Sequence, residues 1–300
     1  MTGPDSGLVM LLSGATRLEI APAIGGSIAR FCSTRDGAPI DWLRPATAQA
    51  LAGGDPGGMA CFPLVPFSNR IRDGSFHFAD RHVSLSHPLA HALHGHGWLA
   101  AWRVVERGDD RLVLDYAHAA GDWPFAYRAR QIFALAPDAL TVTLSVENLG
   151  TSPMPLGIGL HPYFPRTPRT TLTAQTGPIW ETDAEILPTL LAEPGPARDL
   201  GRGLEVDTIA LDNCYTAWAG RAVIDWPERR ARMIMTATAE LPFLVVYTPA
   251  AKDFFCAEPV SNATDAFNLA AQGRTDTGMQ VLAPKRTMHS TITFAAEAAR

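Results

Sequence analysis

The sequence predicts an all-β sandwich, and three observations carry that reading. Residues 140–147 hold the clearest period in the chain, which is two: Leu140, Val142, Leu144 and Val146 alternate with Thr141, Thr143, Ser145 and Glu147. Such alternation marks a half-buried antiparallel strand. The 25 glycines and 24 prolines fall mostly between short strand-like runs, as turn residues do. Helical periodicity is nearly absent, so strands follow one another without the helices that a parallel sheet needs.

In chain order, further strand-like runs cover residues 17–20, 27–32, 102–106, 111–116, 127–135, 232–237, 243–248 and 287–294. Residues 74–86 read as a hairpin, Ser-Phe-His-Phe turning at Ala79-Asp80-Arg81 into His-Val-Ser-Leu-Ser. Only residues 46–51 and 265–271 have a helical pattern, each no more than about two turns. Residues 188–203, dense in Pro and Gly, read as a long surface loop. Residues 295–300 read as a short fraying helix. No repeat, low-complexity segment or linker divides the chain, so residues 1–300 are expected to form a single domain with its core over about 15–295.

An apolar share of 47% against 18% charged residues supports a sizeable core and argues against disorder. The formal net charge is -5 and no basic block occurs, so neither nucleic acid nor an anionic membrane surface is expected as a partner. Cys32, Cys61, Cys214 and Cys256 are widely separated, with no CxxC pair, and read as reduced, partly buried thiols. Residues 8–12 are apolar but lack a preceding basic region and a small-residue cleavage pattern. No run of roughly 18 apolar residues is present. The expected location is cytoplasmic.

Five islands place proton-carrying or hydrogen-bonding residues inside apolar strand-like text. The run at 156–166 carries His161 to Pro162. Proline cannot donate a ladder hydrogen bond, so the strand is expected to stop where the imidazole sits. Gly157 and Gly159 leave one face bare for something to pack close, and Tyr163 and Phe164 offer aromatic surface. Glu258 repeats the arrangement, an apolar run followed by Pro259. Partial desolvation raises a carboxylate's basicity and suits it to general-base work. Plainer alternatives stand beside both: a core histidine bonded to a carbonyl, and a buried glutamate paired with an arginine.

The other three islands offer ligands for oxygen. Asn69 and Arg70 follow a proline-broken approach, and the guanidinium fork suits hydroxyl or ring oxygens. An Asn-Arg pair at a turn also commonly ties up backbone carbonyls. His91, His94 and His96 fall within six residues, and alternation along a strand would put His94 and His96 on one face. No third ligand is evident there, so neutral histidines bonding sugar-like hydroxyls, with Trp98 as an apolar wall, fit better than a metal site. Asp212 can accept two hydroxyl hydrogen bonds or cap its own backbone. An imidazole and a carboxylate at strand mouths imply acid-base chemistry with no cofactor and no metal. No GxGxxG, phosphate-loop, HExxH or Gly-x-Ser-x-Gly motif points elsewhere.

Taken in order, Pro66-Phe67-Ser68-Asn69-Arg70-Ile71, His94-Gly95…Gly97-Trp98, Gly159-Leu160-His161-Pro162-Tyr163-Phe164, Leu211-Asp212 and Ala257-Glu258-Pro259 resemble the motifs of the aldose 1-epimerases, also called galactose mutarotases. The resemblance spans roughly residues 15–295. It implies a mostly antiparallel β-supersandwich with very little helix, and interconversion of the α and β anomers of a free sugar through the open-chain aldehyde. It implies His161 as the acid that protonates the ring oxygen and Glu258 as the base that takes the anomeric proton. By the resemblance His94 and Arg70 would hold ring and anomeric oxygens and Asp212 a ring hydroxyl; Asn69, Tyr163, His96 and Trp98 are expected, from the residues themselves, to complete the substrate site. The expected partner is a monosaccharide, and the expected state a monomer or homodimer.

His96 departs from the His-Gly-Gly commonly seen, and the chain is shorter than the typical galactose enzymes, so the sugar stays open. Two alternatives stay open as well. One is a non-catalytic sugar-binding or regulatory module on the same fold. The other is a mutarotase for sugar phosphates, toward which Arg72 beside Arg70 points. Nearby carboxylates are expected to hold His161 protonated to higher pH, against the opposite pull of burial.

Overall fold

The computed structural model describes residues 7–35 and 37–298. Among the described residues, two antiparallel sheets, of eleven and nine strands, dominate the fold, and three two-stranded sheets accompany them. Among the described residues the two α-helices are Ala48–Gly53 and Ala266–Ala271, six residues each, close to where the helical patterns lie. Thr47 caps the first by accepting the Ala50 N–H.

The period-two segment forms the strand Ala139–Asn148, whose even-numbered residues are buried and whose odd-numbered ones are half-buried. It pairs with Tyr127–Ala136 on one side and Thr287–Ala298 on the other, in the middle of the nine-stranded sheet. The inner faces of the two sheets meet in one apolar core. Phe164 of the eleven-stranded sheet lies 6.3 Å, ring to ring, from Phe294 and 6.5 Å from Trp226 of the nine-stranded sheet.

Five neighbouring strands of the eleven-stranded sheet position the site: Cys61–Leu64, Gly159–Pro165, Phe254–Val260, Phe243–Tyr247 and Asp212–Tyr215. Alternation sends Leu160, Phe164, Phe255, Ala257, Leu244 and Val246 into the inter-sheet core. Phe62, Tyr163, Cys256, Val245 and Cys214 point the other way and form a second apolar cluster with Trp180 and Phe243. These strands are therefore buried on both faces, and such strands read as continuous apolar runs without alternation. His161 and Glu258 share the parity of the second cluster.

Four expectations need correction. The strand around His161 does not stop at Pro162: it runs to Pro165, and Pro162 still sits opposite Cys61. Residues 188–203 are not one loop. Pro188–Ala192 is the last strand of the eleven-stranded sheet, where a leading proline is tolerated at the edge. Leu200 is fully buried, and the Tyr215 hydroxyl donates to the Arg198 carbonyl to hold this segment down. The expected terminal helix is strand as far as Ala298, paired with Ala231, and residues 299–300 lie outside the described residues. All four cysteines are free, and they are buried rather than partly buried.

Candidate active site

In the ladder between Gly159–Pro165 and Phe254–Val260, the pairs Gly159–Val260 and Tyr163–Cys256 bracket a gap. Pro162 and Pro259 lie inside it and have no N–H to give the ladder. The register on either side, carried through the gap, sets His161 directly across from Glu258. Their side chains meet, His161 Nε2 standing 3.2 Å from Glu258 Oε1. One step along the sheet, Tyr163, Cys256, Tyr247 and Asp212 are successive cross-strand partners. Two adjacent rows of one sheet face thus carry the acid-base pair and the Asp212 carboxylate.

The loop that follows Cys61–Leu64 brings the basic and amide groups to the same face. Asn69 adopts φ +58°, in the left-handed region that Asn tolerates. Its side-chain oxygen accepts from the Arg70 backbone N–H at 2.9 Å and from Arg70 Nη1 at 3.1 Å. Arg70 Nη2 reaches to 3.5 Å from Asp212 Oδ2. The Asn69 N–H donates to His94 Nδ1 at 3.2 Å, and the His94 N–H donates back to the Asn69 carbonyl at 2.9 Å. With Nδ1 accepting, the ring proton of His94 resides on Nε2. Gly157 and Gly159 are bare for the reason expected: a Cβ on Gly157 would collide with the Asn262 side chain, and one on Gly159 with the Pro259 carbonyl.

Seven of the nine expected residues line one cavity of about 210 Å³: His161, Glu258, Asn69, Arg70, His94, Tyr163 and Asp212. Leu93 and Tyr247 complete it. His96 and Trp98 do not line it. Trp98 packs behind, 5.1 Å from Phe62 and 5.7 Å from His94 ring to ring, and its Nε1 donates to the Gly95 carbonyl. His94 and His96 do not share a strand face, because the strand ends at Leu93 and both His94 and Gly95 turn through positive φ. Gly95 presses on the Val65 carbonyl so closely that any Cβ would collide. His96 leaves the cavity and stacks on His118 at 4.7 Å. Arg72 also lies off the cavity, its guanidinium 3.7 Å from Asp265 and 3.9 Å from Asp183.

Burial sets the electrostatics. It pushes His161 down to about 3, with Arg44 adding to the fall, and lifts Glu258 well above the ordinary carboxylate range, with Asp212 adding to the rise. The expectation that carboxylates hold His161 charged is therefore reversed. The two groups stand in contact at 3.2 Å, and the dry surroundings favour the neutral form of each. Two titratable groups this close titrate as a coupled pair. Burial, then the neighbouring His161 and Arg70, keeps His94 neutral. Burial also raises Asp212, while Arg70 pulls the other way.

Three residues escaped the sequence reading. Tyr247 and Leu93 line the cavity, and Arg44 lies 4.1 Å over the Tyr163 ring and 4.7 Å over Phe254. Phe62 and Tyr163 flank His161 at 4.5 and 4.7 Å. Tyr247 was accessible in principle, since it follows Phe243 and Val245 at period two. His161, Cys256 and Glu258 also bring three ligand atoms within 4.8 Å of one another, a set able to hold a metal ion. Burial pushes the Cys256 thiol well above its usual value, toward the protonated form.

A sequence profile of the family described as aldose 1-epimerase matches residues 12–295. YphB of Escherichia coli K12, an uncharacterised protein, is 37% identical over 266 residues, spanning 85% of this chain and 88% of its own. The crystal structure of an Escherichia coli K12 protein provisionally assigned as an aldose 1-epimerase is similar, with a TM-score of 0.87 and 33% identity over 97% of this chain and 99% of that one. A galactose mutarotase-like protein from Clostridium acetobutylicum shares the fold, with a TM-score of 0.87 at 19% identity over 97% and 95% of the two chains. Motif order, sheet architecture and these matches agree: the chain belongs to the aldose 1-epimerase family.

Proposed function

We propose that the protein interconverts the α and β anomers of a free aldose, with His161 and Glu258 as its acid and base. The observation that carries this reading is the 3.2 Å contact of imidazole and carboxylate at a small polar cavity, in a chain of this family. Ring opening needs a proton delivered to the ring oxygen while another leaves the anomeric hydroxyl. The shared proton first moves from Glu258 to His161. The imidazolium then donates to the ring oxygen as its bond to C1 breaks, and ionised Glu258 takes the anomeric proton as the C1 carbonyl forms. Rotation about C1–C2 presents the other carbonyl face, and the two groups reverse roles to close the ring. Positioned acid-base groups typically contribute ~10²–10⁴-fold.

The remaining lining supports this division of work. Neutral His94 offers Nε2–H and Arg70 its fork of donors, Asp212 accepts from a hydroxyl, and Tyr163 gives an apolar wall. A phosphorylated sugar is less well supported. Among the described residues, Arg70 is the single cationic side chain of the lining, and it already faces Asp212. Polarimetry on freshly dissolved α-D-glucose, α-D-galactose and a panel of other aldoses and sugar phosphates tests the proposal. The relaxation rate of at least one free aldose should rise in proportion to protein concentration. Rates independent of protein across the panel would sink the enzymatic reading and leave a sugar-binding module.

A further inference from the structure

His161 lacks the usual means by which a catalytic imidazole is oriented. Such rings are ordinarily fixed by a hydrogen bond at the nitrogen that faces away from the reaction. Among the described residues nothing bonds His161 Nδ1, although that atom is buried. Its Nε2 meets Glu258, and that single contact leaves the plane of the ring undetermined. Stacking supplies the missing restraint. Phe62 lies 4.5 Å away with its plane 31° from the imidazole, and Tyr163 lies 4.7 Å away at 24°. The Tyr163 ring is held in turn by Arg44, whose guanidinium carbon stands 4.1 Å from its centre. Guanidinium and imidazole cannot occupy the same face of one ring, so Tyr163 is clasped between them.

Arg44 is itself anchored. Its backbone N–H donates to the Tyr163 carbonyl at 2.8 Å, and its Nη2 donates to the Met59 carbonyl at 2.6 Å. Phe254 closes the corner, 4.7 Å from the guanidinium. Packing alone does not account for an arginine here. Its Nε is buried without a hydrogen-bond partner, a cost that leucine or methionine would avoid. A cation over a ring face gains what an apolar side chain cannot, an attraction to the ring's quadrupole that holds the ring in place. Arg44 does not line the cavity, so it acts on the chemistry only through its neighbours. We propose that Arg44 is a positioning residue for the acid: it seats Tyr163 on His161 and so fixes the imidazole plane that the Glu258 contact leaves free. What the fixed imidazole does rests on the mutarotase reading; that it is fixed in this way does not.

Proton NMR and polarimetry on Arg44→Gln, Arg44→Lys and Tyr163→Leu test the proposal. The His161 Cε1–H resonance, assigned by its loss in His161→Asn, should lie upfield in wild type under the currents of the two flanking rings. Arg44→Gln should move it downfield, whereas Arg44→Lys, which keeps a cation over Tyr163, should leave it near its wild-type place. On the aldose that wild type turns over best, Arg44→Gln should lower kcat ~10-fold or more with KM within ~2-fold, because a misaligned acid weakens the transition state alone. Arg44→Lys should bring kcat back to within ~3-fold of wild type. In a Tyr163→Leu background, Arg44→Gln should cost less than ~2-fold more, since the ring it acts through is gone. A resonance that stays in place in Arg44→Gln, a lysine variant no better than glutamine, or losses that multiply with Tyr163→Leu overturns the proposal. The two claims separate cleanly. A resonance that moves as expected in a protein that accelerates no mutarotation refutes the enzyme and keeps the positioning, whereas accelerated mutarotation with an unmoved resonance does the reverse.

Discussion

Replacing Glu258 by Gln should make the protein more stable than wild type as pH rises, at the same time as it removes turnover. Glu258 is 3% exposed, and burial followed by Asp212 lifts its carboxyl well above the usual range. A carboxyl whose folded pKa is raised contributes stability that is fully present below its unfolded value. That contribution is lost as pH climbs toward the folded value. The substituted amide keeps the shape and does not titrate. The variant's stability relative to wild type should therefore grow by at most ~1.4 kcal/mol per pH unit above about 4.3, and level off once pH passes the raised folded value. The melting temperature of the variant relative to wild type should be higher at pH 6.5 than at pH 5, on the ordinary carboxylate reference of about 4.3. Scanning calorimetry of both proteins at the two pH values reads this directly, and titrating groups remote from the pair cancel to first order. Melting profiles that run parallel would refute the claim that Glu258 is held protonated by burial.

Other expectations follow from the same geometry. Asn69→Ala puts an ordinary residue at φ +58° and frees the Arg70 guanidinium, so it should cost ~1–2 kcal/mol in urea unfolding and raise KM more than it lowers kcat. An unchanged KM would separate Asn69 from substrate binding. Gly95→Ala drives a Cβ into the Val65 carbonyl at positive φ and should destabilise by ~2 kcal/mol or more, read from the urea midpoint. The pH profile of kcat/KM should follow the one-proton state of the pair. It should fall as a second proton enters near His161's value of about 3, and fall again as pH rises through the raised Glu258 value. A flat profile from about pH 4 to about pH 10 would contradict acid-base roles for both residues.

What the sequence disclosed, and what it hid, divides along the range of the interactions. Leu140, Val142, Leu144 and Val146 face the core while the residues between them are half-buried, so their strand is written as alternation. Gly159–Pro165 is buried on both faces, so its alternation is invisible, although it decides that His161 and Tyr163 point to the cavity while Leu160 and Phe164 do not. His161 and Glu258 were recognisable one by one from apolar text ending at proline. Their pairing was not, because the register between strands almost a hundred residues apart has no local signature. The prolines misled for a related reason: they interrupt the ladder with one neighbour without ending the strand. His96 was misplaced because nothing in His-Gly-His announces two consecutive positive φ values. Arg44 was missed because its partners are the rings of Tyr163 and Phe254, both remote in sequence.

The central claim is that His161 and Glu258 act as one proton-sharing unit, and a double-mutant comparison of mutarotation rates tests it most directly. Wild type, His161→Asn, Glu258→Gln and the double variant would be followed by polarimetry on the aldose that wild type turns over best. Each single change should lower kcat by ~10²–10⁴-fold, because either one leaves the shared proton without its donor or its acceptor. The double variant should then lose little more than the worse single one, as residues acting as a unit do. Near-wild-type rates in either single variant, or losses that multiply in the double, would contradict the account.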